Sequence, residues 1–195
     1  MKPLIITVAG GPPAYSQQSL VTLKSFHAHV RPSGVEMVWL TNDMPPEGEK
    51  RCEKYGVEVV RVKANFRDYG ARNRHWHMLE WMAKNQSRGY THVLTIDARD
   101  VAFQDNPFTF NRIDETGVLV SAEASPYGEC GWNARDAGRM LEGLLEHCRI
   151  YDKAWPIVNG GHVAGRFREV LWAEMTRFAI DCRGGGPTDQ ATLGF

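Results

Sequence analysis

Residues 91–108 read THVLTIDARDVAFQDNPF, and the rest of the chain can be understood from this segment outward. Its first part, HVLTI, is short, apolar and β-branched, which predicts a buried strand. Asp97 and Asp100 follow this strand at once, and Phe103 and Phe108 are expected to be buried and to pin the acidic loop. Because ligands of open parallel sheets collect outside the carboxyl ends of the strands, both carboxylates are expected at a ligand-binding position.

Two acids at this spacing suit one hard divalent cation. Such a cation typically keeps some waters, takes one or two protein carboxylates and completes its shell with substrate phosphate oxygens. Asp97 and Asp100 therefore predict a metal–diphosphate site. An ordinary strand-end turn explains the same residues, with Asp97 capping backbone N–H groups and Asp100 paired with Arg99 or Arg72. The spacing alone leaves both interpretations open.

The composition indicates a soluble globular protein. The chain has 195 residues, 43% of them hydrophobic and 24% charged, and this length suits one domain. Lys and Arg together number 23, as do Asp and Glu. Because the charge is balanced, no electrostatic footprint for nucleic acid or an anionic membrane is present, and we expect neither as a partner.

The sequence shows no pattern typical of a targeting or membrane-spanning segment. The apolar run at residues 4–9 is shorter than a signal-peptide core of roughly 7–15 residues, and no run approaches a bilayer span. The four cysteines have no CxxC and no zinc-site spacing; they are Cys52, Cys130, Cys148 and Cys182. We therefore expect free buried thiols in a reducing compartment, and a cytoplasmic protein.

Strands and helices alternate in the first half of the chain. Strands are predicted at residues 4–8, 35–40 and 57–62, and helices at residues 17–29 and 48–55. This order predicts a mostly parallel central sheet with helices on both faces.

Two glycines follow the first predicted strand. Gly10 and Gly11 leave bare backbone that a nucleotide can approach closely, although an ordinary turn has the same composition. A loop at residues 65–74 then carries three arginines, which either face phosphate or a base or are solvated. They are Arg67, Arg72 and Arg74.

A helix is predicted at residues 73–86. The side chains expected to point inward are Trp76, Leu79 and Ala83. His75 and His77 lie on different faces of this helix, so we do not expect them to bind one metal ion together.

Polar residues also follow the predicted strands of the second half. A strand at residues 117–121 places Glu123 at its terminus, and Trp132 in the next loop either presents an aromatic face to a sugar ring or is buried as a plug. Asn159 and Gly160 begin a loop in which backbone can approach a ligand.

In this order the motifs resemble a known family. Between residues 70 and 190 the sequence has a strand followed by DxxD and a proline, then Ala-Glu with a nearby Cys and Trp, then an Asn-Gly-Gly segment, then Asp-Gln. This succession resembles the GT-A fold of nucleotide-sugar glycosyltransferases, and more narrowly the glycosyltransferase domains of lysyl hydroxylases and the collagen-galactosyltransferase-like group. The resemblance implies a single Rossmann-like GT-A domain over residues 1–195, with residues 1–100 as the nucleotide-binding half and residues 101–195 as the half for acceptor and sugar.

The resemblance also implies roles for individual residues. Asp97 and Asp100 match the acids that hold Mn²⁺, or Mg²⁺, and the UDP diphosphate. Asp189 and Gln190 match the end of an Asp-Asp-Gln motif whose first Asp is Thr188 here, and Asp189 would act as general base on the acceptor or hold the donor sugar.

The remaining matches concern the sugar and the third metal ligand. Glu123 and Trp132 match an Ala-Glu and Cys-Trp segment near the sugar, with one glycine inserted before the tryptophan, and Asn159-Gly160 matches an Asn-Ser-Gly loop. The family often recruits a downstream histidine as a third ligand, for which His162 is our substitute. The complete prediction comprises catalytic Asp189, Gln190 and Glu123; UDP-sugar-binding Gly10, Gly11, Arg72, Asp97, Trp132, Asn159 and Gly160; and the metal ligands Asp97 and Asp100.

The function implied is metal-dependent transfer of a hexose from a UDP-sugar to a hydroxyl group of a glycan, a protein or a small molecule. Two other functions stay open: a non-catalytic nucleotide-sugar or glycan-binding module, and a nucleotidyltransferase. Nucleotidyltransferases normally carry Arg and Lys in a Gly-rich loop after the first strand. Residues 10–14 read GGPPA and lack both, which disfavours that class.

Overall fold

The computed structural model describes residues 1–10, 17–63, 70–99, 101–110, 113–114, 117–126 and 156–184, with the backbone alone for residues 17, 70–73, 122–126, 156–161, 177 and 179–184. The strands are β1 (Pro3–Val8), β2 (Glu36–Thr41), β3 (Val57–Arg61), β4 (His92–Ile96), β5 (Val118–Pro126) and β6 (Pro156–Arg166). The α-helices are α1 (Gln17–Ser25), α2 (Pro46–Lys54), α3 (Gly70–Lys84) and α4 (Phe167–Gly184), and a π-helical turn, Phe26–Val30, continues α1.

The six strands form one mixed sheet in the order β3-β2-β1-β4-β6-β5. Strands β1 to β4 pair in parallel, whereas β6 runs antiparallel to both of its neighbours. The prediction of an α/β fold with a mostly parallel sheet is therefore confirmed. The pairing of β4 with β6 joins strands from the two halves of the sequence in the same sheet.

Helices cover both faces of the sheet, as the alternation of elements predicted. On one face α1, the π-helical turn and α2 contribute Leu23, Phe26 and Cys52 to a core with strand residues such as Ile5 and Trp39. On the other face α3 and α4 contribute Met78, Met82, Phe167 and Val170. Because β1 lies between these two layers, all six of its residues are buried.

The strand order reverses beside β1. The chain builds β2 and β3 on one side of β1, then crosses the sheet through α3 and places β4 on the other side. Open α/β sheets bind ligands in the crevice outside the carboxyl ends of the strands where the order reverses. The topology therefore marks the carboxyl ends of β1 and β4 as the position for a site.

Three local predictions are wrong. Helix α3 begins at Gly70, so the end of the predicted arginine loop is helical. Glu123 lies inside β5 and not at a strand terminus, and Asn159 and Gly160 lie inside β6 and not in a loop. These positions lie where the register of β5 and β6 shifts, between Val120 and Ala122 and between Ala122 and Pro126. The two strands pair on either side of each shift, and the turn-like local composition does not end them.

The inward face of α3 also differs from the prediction. Leu79 is buried as expected, but Trp76 is 45% exposed and Ala83 is exposed. The helix packs on the sheet and on α4 at the same time, so its buried side is rotated toward His75 and Met78. The exposed Trp76 instead lies over Phe178 of α4, with ring centroids 5.1 Å apart.

Cys52 is a free, buried thiol, as predicted for it. Burial, with a smaller contribution from the charge of Glu49, raises the pKa of this thiol to about 12. The thiol therefore stays protonated and unreactive at neutral pH. The other three cysteine side chains lie outside the described part of the chain.

Candidate functional site

The carboxyl ends of β1 and β4 leave the sheet side by side. Thr7 lies opposite Ile96 in the parallel register, and its hydroxyl donates to the Ile96 carbonyl at 2.8 Å. The next residue but one, Ala9, still donates its N–H to the Leu40 carbonyl of β2 at 3.1 Å. Gly10 after β1 and Asp97 after β4 therefore emerge at the same edge, where the strand order reverses.

Asp97 forms an ion pair with an arginine of α3. Its Oδ1 accepts a short hydrogen bond from Nη1 of Arg74, whose side chain is 17% exposed, whereas the side chain of Asp97 is 36% exposed. Arg74 lies one turn after the start of α3 at Gly70. Among the described residues no hydrogen bond to Oδ2 of Asp97 is found. One oxygen of the carboxylate is thus held by a guanidinium, and no partner of the other is found in the described part of the chain.

The alternative in which Asp97 only caps backbone N–H groups does not describe this geometry. The partner found for Asp97 in the described part of the chain is the Arg74 side chain. Arg74 belonged to the predicted arginine loop, but the site prediction named Arg72, whose side chain lies outside the described residues. The sequence predicts that the helix begins at residue 73, whereas α3 begins at Gly70 and places Arg74 one turn into the helix. The local sequence pattern does not indicate this earlier start.

The loop after β4 is held against α1. Thr22 donates its hydroxyl to the Val101 carbonyl at 2.7 Å, and Ser25 Oγ accepts the Phe103 N–H at 3.0 Å. Phe103 and Phe108 are 7% and 5% exposed. The prediction that these two rings are buried is confirmed, and with the two hydroxyls they restrict how far the chain after Asp97 can move.

Thr22→Val tests the anchoring of this loop. The two side chains have nearly the same shape, but valine leaves the part-buried Val101 carbonyl without its donor, so we expect a loss of about 1–2 kcal/mol in unfolding free energy. Urea denaturation measures the change. Thr176→Val is the matched control, because the exposed Thr176 hydroxyl bonds only within α4 and its loss should cost less than about 0.5 kcal/mol. Equal losses in the two variants would contradict the anchoring role.

Because of its register with β4, β6 also places Asn159 and Gly160 at this edge of the sheet. Thr95 of β4 lies opposite Val163, and β6 runs antiparallel, so the residues of β6 before Val163 extend past the carboxyl end of β4. Asn159 and Gly160 are among them. Glu123 follows Ala122, which pairs with Val158, so its backbone lies in the same extension of the sheet. The structure thus brings three predicted positions to the side of the sheet where Asp97 lies.

His162, the suggested third metal ligand, lies on β6 next to Val163. Its Nδ1 is 3.4 Å from the Ser121 hydroxyl of β5. In the described residues no group of three or more His, Cys, Asp or Glu side chains is arranged to hold a metal ion. The five other predicted positions, Gly11, Asp100, Trp132, Asp189 and Gln190, lie outside the described residues.

The described part of the site contributes one carboxylate to a possible set of cation ligands. Asp97 supplies a part-exposed carboxylate at the same edge of the sheet as Gly10. Mg²⁺ and similar cations are commonly bound through one or two carboxylates together with substrate phosphates and water. The donor chemistry of Asp97 agrees with that pattern, while Arg74 supplies a competing positive charge.

No protein-family model and no curated protein matches this chain. Among the helices in the described ranges, none combines the length and the apolar character needed to cross a bilayer. The functional assignment therefore depends on the site and on the order of the sequence motifs.

Proposed function

We propose that the protein is a metal-dependent glycosyltransferase of GT-A type, which transfers a hexose from a UDP-sugar to a hydroxyl group of an acceptor. One observation supports this most directly: Asp97, the first acid of the DxxD motif, follows β4 at the edge where the strand order reverses next to β1, and its side chain is part-exposed. This is the place where sheets of this kind bind nucleotides. The position of Asp97 at this edge supports a role for it in holding a cation and the diphosphate.

The chain's own groups have distinct tasks in this proposal. Asp97, together with Asp100, would hold the cation, and the backbone after β1 would approach the nucleotide. Mn²⁺, when bound, supplies Lewis-acid stabilisation of the negative charge that develops on the UDP leaving group. Asp189 would take the proton of the acceptor hydroxyl or hold the donor sugar, and Glu123 and Trp132 would contact the sugar.

The proposal is tested by two measurements on the purified protein. Isothermal titration calorimetry with UDP should show binding that is strengthened by MnCl₂, and a panel of UDP-sugars with MnCl₂ should release UDP, at least by slow donor hydrolysis. Release of pyrophosphate from a sugar phosphate and a nucleoside triphosphate would instead identify a nucleotidyltransferase. UDP binding that is indifferent to Mn²⁺, with no donor hydrolysed, would contradict a metal-dependent transferase.

A second candidate is a non-catalytic nucleotide-sugar-binding module. The ion pair between Arg74 and Asp97 favours it, because the guanidinium already neutralises the carboxylate and is itself a suitable phosphate ligand. This candidate predicts UDP binding of equal strength with and without MnCl₂, and no UDP release from any donor. The same two measurements therefore separate the two functions.

A further inference from the structure

The Arg74–Asp97 pair occupies the position that the proposed function assigns to a metal ion. Arg74 comes from α3 and Asp97 follows β4, 23 residues later, and their side chains meet at Oδ1 of Asp97. The side chain of Arg74 is 17% exposed, so solvent screens its charge less than that of a surface arginine. A positive charge of the protein itself therefore already lies on the proposed metal ligand.

We propose that Arg74 is the resident cation of Asp97 in the ligand-free protein, and that it is released from Asp97 when a divalent cation binds there and then contacts the diphosphate. This inference rests on the proposed function. It assigns to Arg74 a positioning role and a control on metal binding, neither of which follows from the DxxD motif.

Electrostatics gives the reason for the release. A guanidinium and a divalent cation on one carboxylate repel each other, and the low exposure of Arg74 limits the screening of that repulsion. A bound diphosphate offers the displaced guanidinium a new partner, because arginine binds phosphate through paired N–H donors. Arg74 should therefore oppose the metal alone but support the metal–nucleotide complex.

Removing Arg74 should therefore strengthen the binding of Mn²⁺ alone and weaken the binding of UDP with Mn²⁺, and these opposite effects make the test specific. Calorimetric titration with MnCl₂ alone should show about tenfold tighter binding to Arg74→Gln than to the unmodified protein. Titration with UDP at saturating MnCl₂ should show about tenfold weaker binding to the same variant. Arg74→Lys keeps the charge without the paired donors, and we expect smaller changes in the same two directions, so it replaces Arg74→Gln if that variant does not fold.

Arg99→Gln is the matched control. Arg99 is an exposed arginine two residues after Asp97, and no contact of it is found with the described residues. The variant removes the same charge from the same neighbourhood without removing the ion pair. Both affinities should change less than twofold, which separates displacement from a general change in the local potential.

The possible results distinguish this inference from the proposed function. Equal or weaker binding of MnCl₂ to Arg74→Gln, when the unmodified protein binds Mn²⁺, would overturn the role of Arg74 and leave the metal site intact. Binding of MnCl₂ by Arg74→Gln alone would support the role of Arg74 in its strongest form. Absence of Mn²⁺ binding in both proteins would reject the metal-dependent function and this inference with it.

Discussion

Asp97→Asn should weaken the binding of UDP in the presence of Mn²⁺ by about 100-fold, which corresponds to about 2.7 kcal/mol. The substitution keeps the volume of the side chain but removes the negative charge and the hard anionic oxygen that a divalent cation requires. Binding of UDP without Mn²⁺ should change much less, because no cation then depends on this carboxylate. The loss should exceed that caused by removing any single arginine.

Calorimetry with UDP, with and without MnCl₂, measures this effect. Asp105→Asn provides the control, since Asp105 is an exposed acid in the same segment and its carboxylate accepts the N–H of the neighbouring Asn106 at 2.7 Å. It removes the same charge and should leave both affinities within about twofold. The Asp100→Asn variant should behave like Asp97→Asn, and undiminished manganese-dependent binding in both would refute the metal role.

Glu174→Ala should produce the largest loss of stability, about 3 kcal/mol of unfolding free energy. Glu174 and His75 are both fully buried, and Glu174 Oε2 lies 2.6 Å from His75 Nδ1, so the pair joins α4 to α3 beneath the surface. No hydrogen bond to the other ring nitrogen of His75 is found among the described residues. Alanine would therefore leave the buried imidazole with neither nitrogen satisfied and would also open a cavity.

Urea denaturation at neutral pH measures this loss, and a double-mutant cycle with His75→Ala isolates the pairwise part. Glu80→Ala is the matched control on α3, because Glu80 is partly exposed and its shortest ion pair is with the exposed Lys84, so its loss should cost less than about 1 kcal/mol. The coupling energy between the buried partners should exceed 1 kcal/mol. A cost for Glu174→Ala no greater than that for Glu80→Ala would show that the buried pair is not a structural tie.

The stability of α3 also bears on the site, because Arg74 and His75 are consecutive in the sequence. His75 holds α3 to α4, while Arg74 holds the same turn to the end of β4. A variant that loosens the buried pair is therefore expected to weaken UDP binding indirectly. Thermal denaturation of each binding variant separates that indirect effect from the loss of a ligand contact.

Local sequence determined the arrangement of helices on both faces of a sheet, and it determined that the acidic motif follows a strand. The alternating apolar segments were sufficient to predict a mostly parallel sheet with helices on both faces, and the run before Asp97 was sufficient to predict a buried strand. These features depend on the spacing of apolar residues within one element, which can be read directly from the sequence. The burial of Phe103 and Phe108 followed from the same reasoning.

Tertiary structure alone decided which groups meet. Asn159, Gly160 and Glu123 lie inside β6 and β5 because the two strands pair on either side of them, across shifts in register, despite a local composition typical of turns. The contact between Arg74 and Asp97 depends on where α3 begins and on the crossover that places β4 beside β1. Side chains 23 residues apart share no local pattern, so only the folded chain brings the guanidinium and the carboxylate together.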